Sequence, residues 1–266
     1  MAEQSRFELR GFVTQLNDLL KALPEEVTPG DTPRGSLNRL RADIRRAIGQ
    51  LTRLVAELDP VKQPSAVFDP ADPKVMGELI ARTLLIQPRL PLADLQPFYG
   101  SGVYALYYQG DFPAYRRISG QDWPIYVGKA DPADSKARSV EEQGARLARR
   151  LNDHVRSITP VSNLKLQDFT CRFLVVKSAW QGTAELYLID RFKPVWNNEV
   201  KVCFGFGKHG DSAGTRRNTR SPWDTLHPGR KWAWKKGNVD NPKSADEIAT
   251  AVKEHLAATF DETGER

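Results

Sequence analysis

Gly102-Val103-Tyr104-Ala105-Leu106-Tyr107-Tyr108 is followed, across a polar proline-containing loop, by Pro124-Ile125-Tyr126-Val127-Gly128-Lys129-Ala130. Both stretches are apolar, aromatic and bounded by glycine or proline, which is the composition of β-strands. The connection favours an antiparallel pair. A basic run then carries Arg146, Arg149, Arg150 and His154 at helical spacing. Each strand thus presents a tyrosine beside a glycine, and the helix adds cations and an imidazole. That set suits chemistry on a phosphate: phenol and imidazole move a proton, and a guanidinium holds the oxygens as charge builds.

Towards the N-terminus, residues 6–23 read as a helix stopped by Pro24, and residues 24–35 as a turn rich in proline, glycine and threonine. Ser36 is a candidate N-cap for a second helix. From there Leu37, Leu40, Ile44, Ala47, Leu51, Leu54 and Leu58 alternate by three and four, a heptad seam. The two helices are expected to form a hairpin, either packing within the chain or serving as a dimerisation arm. Residues 59–71 read as a linker. Asp72 and Pro73 open a third helix that runs to about Ile86.

Beyond the central stretch, residues 141–158 form the basic helix, residues 169–177 a third strand and residues 183–192 a helix carrying Glu185 and Asp190. Residues 204–236 read as a basic, aromatic, turn-rich segment. Loops of that length inside a domain usually carry function. A last amphipathic helix spans residues 244–260, with His255 solvated or packed.

Composition narrows the function. Residues 1–60 carry nine basic and nine acidic side chains, whereas residues 116–236 carry 23 Lys+Arg against 12 Asp+Glu. A basic middle in a chain of net charge +6 points to a polyanion, most commonly nucleic acid. Two cysteines, Cys171 and Cys203, argue against a disulfide framework and for a reducing, cytoplasmic setting. No apolar run is long enough for a membrane helix, the N-terminus has no signal-peptide pattern, and no phosphate-binding GxxxxGK[ST] loop is present. The four histidines and two cysteines do not fall at zinc-ligand spacing.

The pair Gly102-Val103-Tyr104 and Tyr126-Val127-Gly128 resembles the signature of the GIY-YIG nuclease superfamily, with valine at the isoleucine positions. Arg150, Glu185 and Asn197 follow in the order that superfamily uses, with His154 one helical turn after Arg150. Lys193-Pro194-Val195-Trp196-Asn197 and the Trp223-Asp224, His227-Pro228-Gly229-Arg230 tail are similar to the type II restriction endonucleases of the superfamily that cut CCGCGG. The resemblance covers roughly residues 98–236.

It implies an α+β fold, a small antiparallel-containing sheet flanked by helices, preceded by the helical hairpin. The expected division is residues 1–60 as hairpin, 61–97 as linker and helix, 98–203 as nuclease core, and 204–266 as DNA-recognition segment and final helix. It also implies roles. Tyr104 is base or proton relay with His154, Tyr126 binds the water or scissile phosphate, and Arg150 holds phosphate oxygens. Glu185 binds one Mg²⁺, Asn197 orients Glu185 or the phosphate, and Lys129 is a further phosphate cation. Arg116, Arg117, Arg216, Arg217, Arg220 and Arg230 are the candidate DNA contacts, because arginine pairs bidentately with guanine. Double-stranded DNA, a homodimer matching a palindrome, and a cognate methyltransferase are the implied partners.

Two rival readings come from the same residues. Asp190 with Glu199-Val200-Lys201 mimics the D…ExK pattern of other restriction nucleases. A DNA-binding regulator that kept a nuclease scaffold without its activity is the alternative function.

Overall fold

A computed structural model describes residues 2–22, 33–61, 64, 68–177, 180–207 and 219–263. It divides into two compact units, Met1–Val67 and Phe68–Arg266. The boundary expected at residues 203 and 204 therefore falls inside the second unit.

The first unit contains helices α1 (Ala2–Lys21) and α2 (Arg34–Leu58). The residues expected to turn between them lie largely outside the described residues. Helix α2 starts after Pro33, not at Ser36. The Ser36 amide already donates to the Pro33 carbonyl at 2.9 Å, so that serine sits inside the first turn. Of the heptad residues, Leu40, Ile44 and Leu58 are each more than half exposed, whereas Leu37, Leu51 and Leu54 are half-buried.

The second unit opens with helix α3 (Pro73–Leu85). The Asp72 carboxylate accepts from the Lys74 amide at 2.8 Å, and Pro73 takes the first helical position, where no donor is needed. Strands β1 (Leu90–Pro91), β2 (Gly102–Tyr108), β3 (Tyr126–Ala130) and β4 (Phe169–Val175) form one antiparallel sheet in the order β1-β4-β2-β3. The two-residue strand β1 was not foreseen. Its proline is tolerated because it lies at a sheet edge.

All seven residues of β2 are buried. Alternate side chains point to opposite faces, so both faces of the sheet are covered. Each fully buried large apolar side chain there contributes roughly 1.5–3 kcal/mol. The covering helices include α4 (Arg146–Ile158) and α5 (Gln181–Phe192). In α4 the buried residues Leu147, Leu151, His154 and Ile158 recur at helical spacing, while Arg146, Arg149 and Arg156 stay exposed.

The described parts of the 204–236 segment are not a free loop. Phe206, Trp223 and His227 are fully buried, and Trp196 packs against all three. A short helix α6 (Pro222–Leu226) is capped by the Ser221 hydroxyl, which accepts from the Asp224 amide at 3.1 Å. Helix α7 (Ala245–Thr263) buries Ile248, Val252 and Leu256, four residues apart. Its N-terminus is a reciprocal cap between Ser244 and Glu247. No helix among the described residues is long and apolar enough to cross a membrane.

Candidate active site

Strand pairing sets Tyr104 of β2 opposite Gly128 of β3. A Cβ at Gly128 would lie 2.4 Å from the Tyr104 hydroxyl, so the phenol lies directly over that glycine. This is the physical reason for a glycine two residues after Tyr126: any side chain would displace the other tyrosine. The Tyr104 hydroxyl shares a 2.6 Å hydrogen bond with His154 Nε2, and Arg150 Nε donates to it at 3.3 Å. Arg150 and His154 face the same phenol because they are one turn apart on α4.

Tyr126 joins this group from β3. Arg150 bonds to its hydroxyl as well as to that of Tyr104. Tyr104 and His154 are wholly buried, whereas Tyr126 keeps 8% of its surface exposed and Arg150 is half-buried. The opening of the site is therefore at Tyr126 and Arg150. Burial pushes the Tyr104 phenol well above its ordinary value, with Tyr126 reinforcing the shift and Arg150 opposing it. Tyr126 is raised by burial too. Both phenols stay protonated at neutral pH. Burial works against the Arg150 charge, but the two phenols beside it more than offset that, and its affinity for the proton rises.

Glu185, on α5, completes the cluster and lies within electrostatic reach of both phenols. Its carboxyl is pushed up to about 7, first by burial and then by Glu199 and Asp131, while Lys129 opposes through its charge and its backbone amide. A half-buried carboxylate crowded by two others is a place where a hard cation relieves repulsion. No group of three metal-ligating side chains occurs among the described residues. A cation here would therefore rest on Glu185 with substrate oxygens and waters.

The remaining expected residues are distributed differently. Lys129 Nζ is held by Asp131, 2.7 and 2.6 Å from its two carboxylate oxygens, so its charge is already partnered. Asn197 is buried and spends both amide atoms on Val127: its Oδ1 accepts from the Val127 amide and its Nδ2 donates to the Val127 carbonyl, each at 2.9 Å. It closes the open edge of β3 and so holds the strand that carries Tyr126.

Arg116 and Arg117 are exposed beyond the turn Pro113–Tyr115, and the Arg117 guanidinium lies over Phe260. Arg216 and Arg217 lie outside the described residues. Arg220 stacks on Trp234 at 3.5 Å and pairs with Asp240 at 2.8 Å. Arg230 departs most from expectation. It is 4% exposed and pairs with the buried Asp224 at 2.7 Å. It also donates to the carbonyls of Phe206 and Gly205 at 2.9 and 3.0 Å. A guanidinium so committed has no face left for a base edge, so Arg230 builds the site instead of reading DNA.

The D…ExK rival finds no matching geometry. Glu199 and Val200 lie in a turn, and Lys201 takes a left-handed backbone with φ of 60° instead of extending a strand.

Sequence reasoning missed Phe206 and Gly207. The Phe206 ring stacks on the His154 imidazole, with centroids 4.6 Å apart and planes at 16°. A Cβ at Gly207 would meet the Tyr126 hydroxyl at 3.1 Å and Arg150 Nη2 at 3.2 Å, so this residue brings the backbone against the mouth of the site. The Phe204-Gly205-Phe206-Gly207 pattern was the available signal, since a glycine beside an aromatic marks a close backbone approach.

Residues 96–256 match the family model described as the Eco29kI GIY-YIG domain. No curated protein matches the chain. The match spans more than half of the 266 residues and contains Tyr104, Tyr126, Arg150, His154, Glu185 and Asn197. The chain belongs to the Eco29kI GIY-YIG domain family, a restriction endonuclease family.

Proposed function

We propose that the protein is a type II restriction endonuclease that makes Mg²⁺-dependent double-strand breaks at a short G·C-rich palindrome, CCGCGG being the sequence its motifs favour. The observation that carries this reading is the convergence of Tyr104, Tyr126, Arg150, His154 and Glu185, from four separate elements, on one half-buried opening.

In the proposed reaction the scissile phosphate docks at Arg150 and Tyr126, where its oxygens meet a cation and a phenol O–H. A water attacks phosphorus in line with the 3′ oxygen. Its proton leaves toward the phenol pair while Tyr104 passes its own proton to His154 Nε2, so no free phenolate is needed. The P–O3′ bond breaks, leaving a 5′-phosphate and a 3′-hydroxyl. Bound Mg²⁺ on Glu185 would supply charge stabilisation for the departing oxygen. Lys129 keeps Asp131 occupied beside Glu185, and Asn197 holds β3 in register.

One such site cuts one strand, so a palindrome calls for a two-fold homodimer. The exposed heptad residues Leu40, Ile44 and Leu58 of α2 support the first unit as a dimerisation arm. Arg116 and Arg117, with Arg216 and Arg217 outside the described residues, are the proposed DNA contacts. Arg220, held by Asp240 and Trp234, is proposed to face the phosphate backbone from the same segment. The setting is the cytoplasm, with a cognate methyltransferase protecting host DNA.

The test is digestion of unmethylated plasmid with and without Mg²⁺ by wild type and Glu185→Ala, with the ends sequenced. Discrete, Mg²⁺-dependent fragments absent with Glu185→Ala support the reading, and the ends give the site. DNA binding without cleavage by the wild type would support the regulator alternative instead.

A further inference from the structure

The proton relay ends at His154, whose imidazole is backed by more than its bond to Tyr104. Two buried layers hold it. The first is Phe206, fully buried, stacked face to face on the ring and edge-on to Tyr126 at 5.1 Å. The second is the Arg230–Asp224 pair behind it. Arg230 bonds the carbonyls of Gly205 and Phe206, and Asp224 orients Arg230 at 2.7 Å while accepting from the Ser221 hydroxyl at 2.6 Å. Trp223 and Trp232 flank the guanidinium at 4.3 and 4.8 Å. The Phe206 backbone is therefore held by a charged clamp, and its ring is packed among His154, Tyr126, Trp196 and Trp223.

We propose that Phe206 is a positioning residue for the nuclease chemistry, and that the Arg230–Asp224 clamp sets its plane. The inference rests on the nuclease reading. The stacked ring keeps His154 Nε2 on the Tyr104 hydroxyl and walls the imidazole off from bulk water. The relay then exchanges protons through the opening at Tyr126 and Arg150. Misplacing a proton acceptor by an ångström reduces rate steeply without weakening substrate binding. Among the described residues, Tyr104, Tyr126 and Arg150 touch His154 or its phenol partner, and the Glu185 carboxyl acts on both phenols.

Phe206→Leu keeps the apolar fill and removes the flat face. Arg230→Lys keeps a charge for Asp224, but a single ammonium does not reproduce the fork that holds two carbonyls. The measurements are single-turnover cleavage of plasmid with Mg²⁺ across pH, DNA binding, and melting temperature, for wild type and both variants. The expected result for Phe206→Leu is a rate about 10–100-fold lower, unchanged DNA affinity and a pH–rate profile of altered shape. Arg230→Lys moves rate and profile in the same direction by less.

Unaltered rate and profile in folded Phe206→Leu overturn the proposal. So does a rate loss that tracks only the folded fraction, with the profile shape kept. If Phe206→Leu does not fold, Arg230→Lys decides by the same criteria. Wild type that does not cleave overturns the nuclease reading and this inference with it. Wild type that cleaves beside an undiminished Phe206→Leu overturns this inference alone.

Discussion

Among the described residues are two hydrogen-bonded tyrosine–histidine pairs of almost the same geometry. Tyr104 meets His154 Nε2 at 2.6 Å, and Tyr115 meets His227 Nε2 at 2.5 Å. All four residues are fully buried. Their surroundings separate them. In the second pair Trp196 Nε1 donates to the Tyr115 hydroxyl at 2.8 Å, and His227 Nδ1 meets Asn163 Oδ1 at 3.0 Å. Asn163 in turn donates to the Leu226 carbonyl at 2.9 Å. Donors and acceptors run in one direction and close on the backbone, which fixes a neutral imidazole. Burial, and then Arg230, pushes His227 down to about 3. The first pair instead opens onto Arg150, Tyr126 and Glu185. A tyrosine–histidine contact is thus not itself a catalytic signature. In the proposed reaction the catalytic pair is the one with an adjacent cation and carboxylate at an opening.

Beyond the tyrosines themselves, the largest expected effect separates the pairs through the cation. Arg150→Ala should lower the cleavage rate by about 10²–10³-fold, the scale for losing a donor to a developing oxyanion, with DNA binding reduced far less. A comparable loss for a substitution at the second pair, without unfolding, would erase the distinction.

The second pair should speak through stability. The folded-state value of His227 is depressed, so its neutral form contributes stability above about pH 6.5 that is lost as pH falls towards 3. Urea midpoints of the wild type should therefore fall across that window, and His227→Gln should show a shallower fall. An identical pH dependence in the variant would contradict the assignment.

Glu185 runs the other way. Its carboxyl is raised to about 7, so the stability it contributes is present below about pH 4.5 and lost as pH rises through 7. Glu185→Gln should be more stable than wild type at pH 8 by about 1–2 kcal/mol, a figure reduced for the group's partial exposure, while cleavage is lost. Thermal melts at pH 5 and pH 8 check it: the gain should be confined to the higher pH.

The smallest effect concerns Glu199, one of the carboxylates that raise Glu185. Glu199→Gln should retain cleavage and move the acid limb of its pH profile to lower pH. Loss of cleavage with an active Glu185→Gln would instead favour the D…ExK reading.

How much of this was legible follows the same division. The strands around Tyr104 and Tyr126, the α4 helix, the Asp72 cap and the α+β class were readable because each rests on local pattern. The clustering of Tyr104, Tyr126, Arg150 and Glu185 followed from motif order. The second pair was not readable, because its members are brought together from three distant segments: His227 lies 112 residues from Tyr115 and 64 from Asn163. The burial of Arg230 was hidden for a related reason. Its partners are mostly backbone carbonyls, which carry no residue identity, so a guanidinium in a basic segment read as a DNA contact. Asn197 was found by order, but its attachment to the Val127 backbone needed the strand edge to be seen.

The most direct test sets Tyr104→Phe beside Tyr115→Phe, measuring Mg²⁺-dependent plasmid cleavage and urea stability on both. Tyr104→Phe should lose cleavage by about 10²–10⁴-fold while remaining folded. Tyr115→Phe, which strips partners from Trp196 Nε1 and His227 Nε2, should lose about 1–3 kcal/mol of stability while its folded fraction still cuts. Full cleavage by Tyr104→Phe, or its loss in folded Tyr115→Phe, would contradict the account.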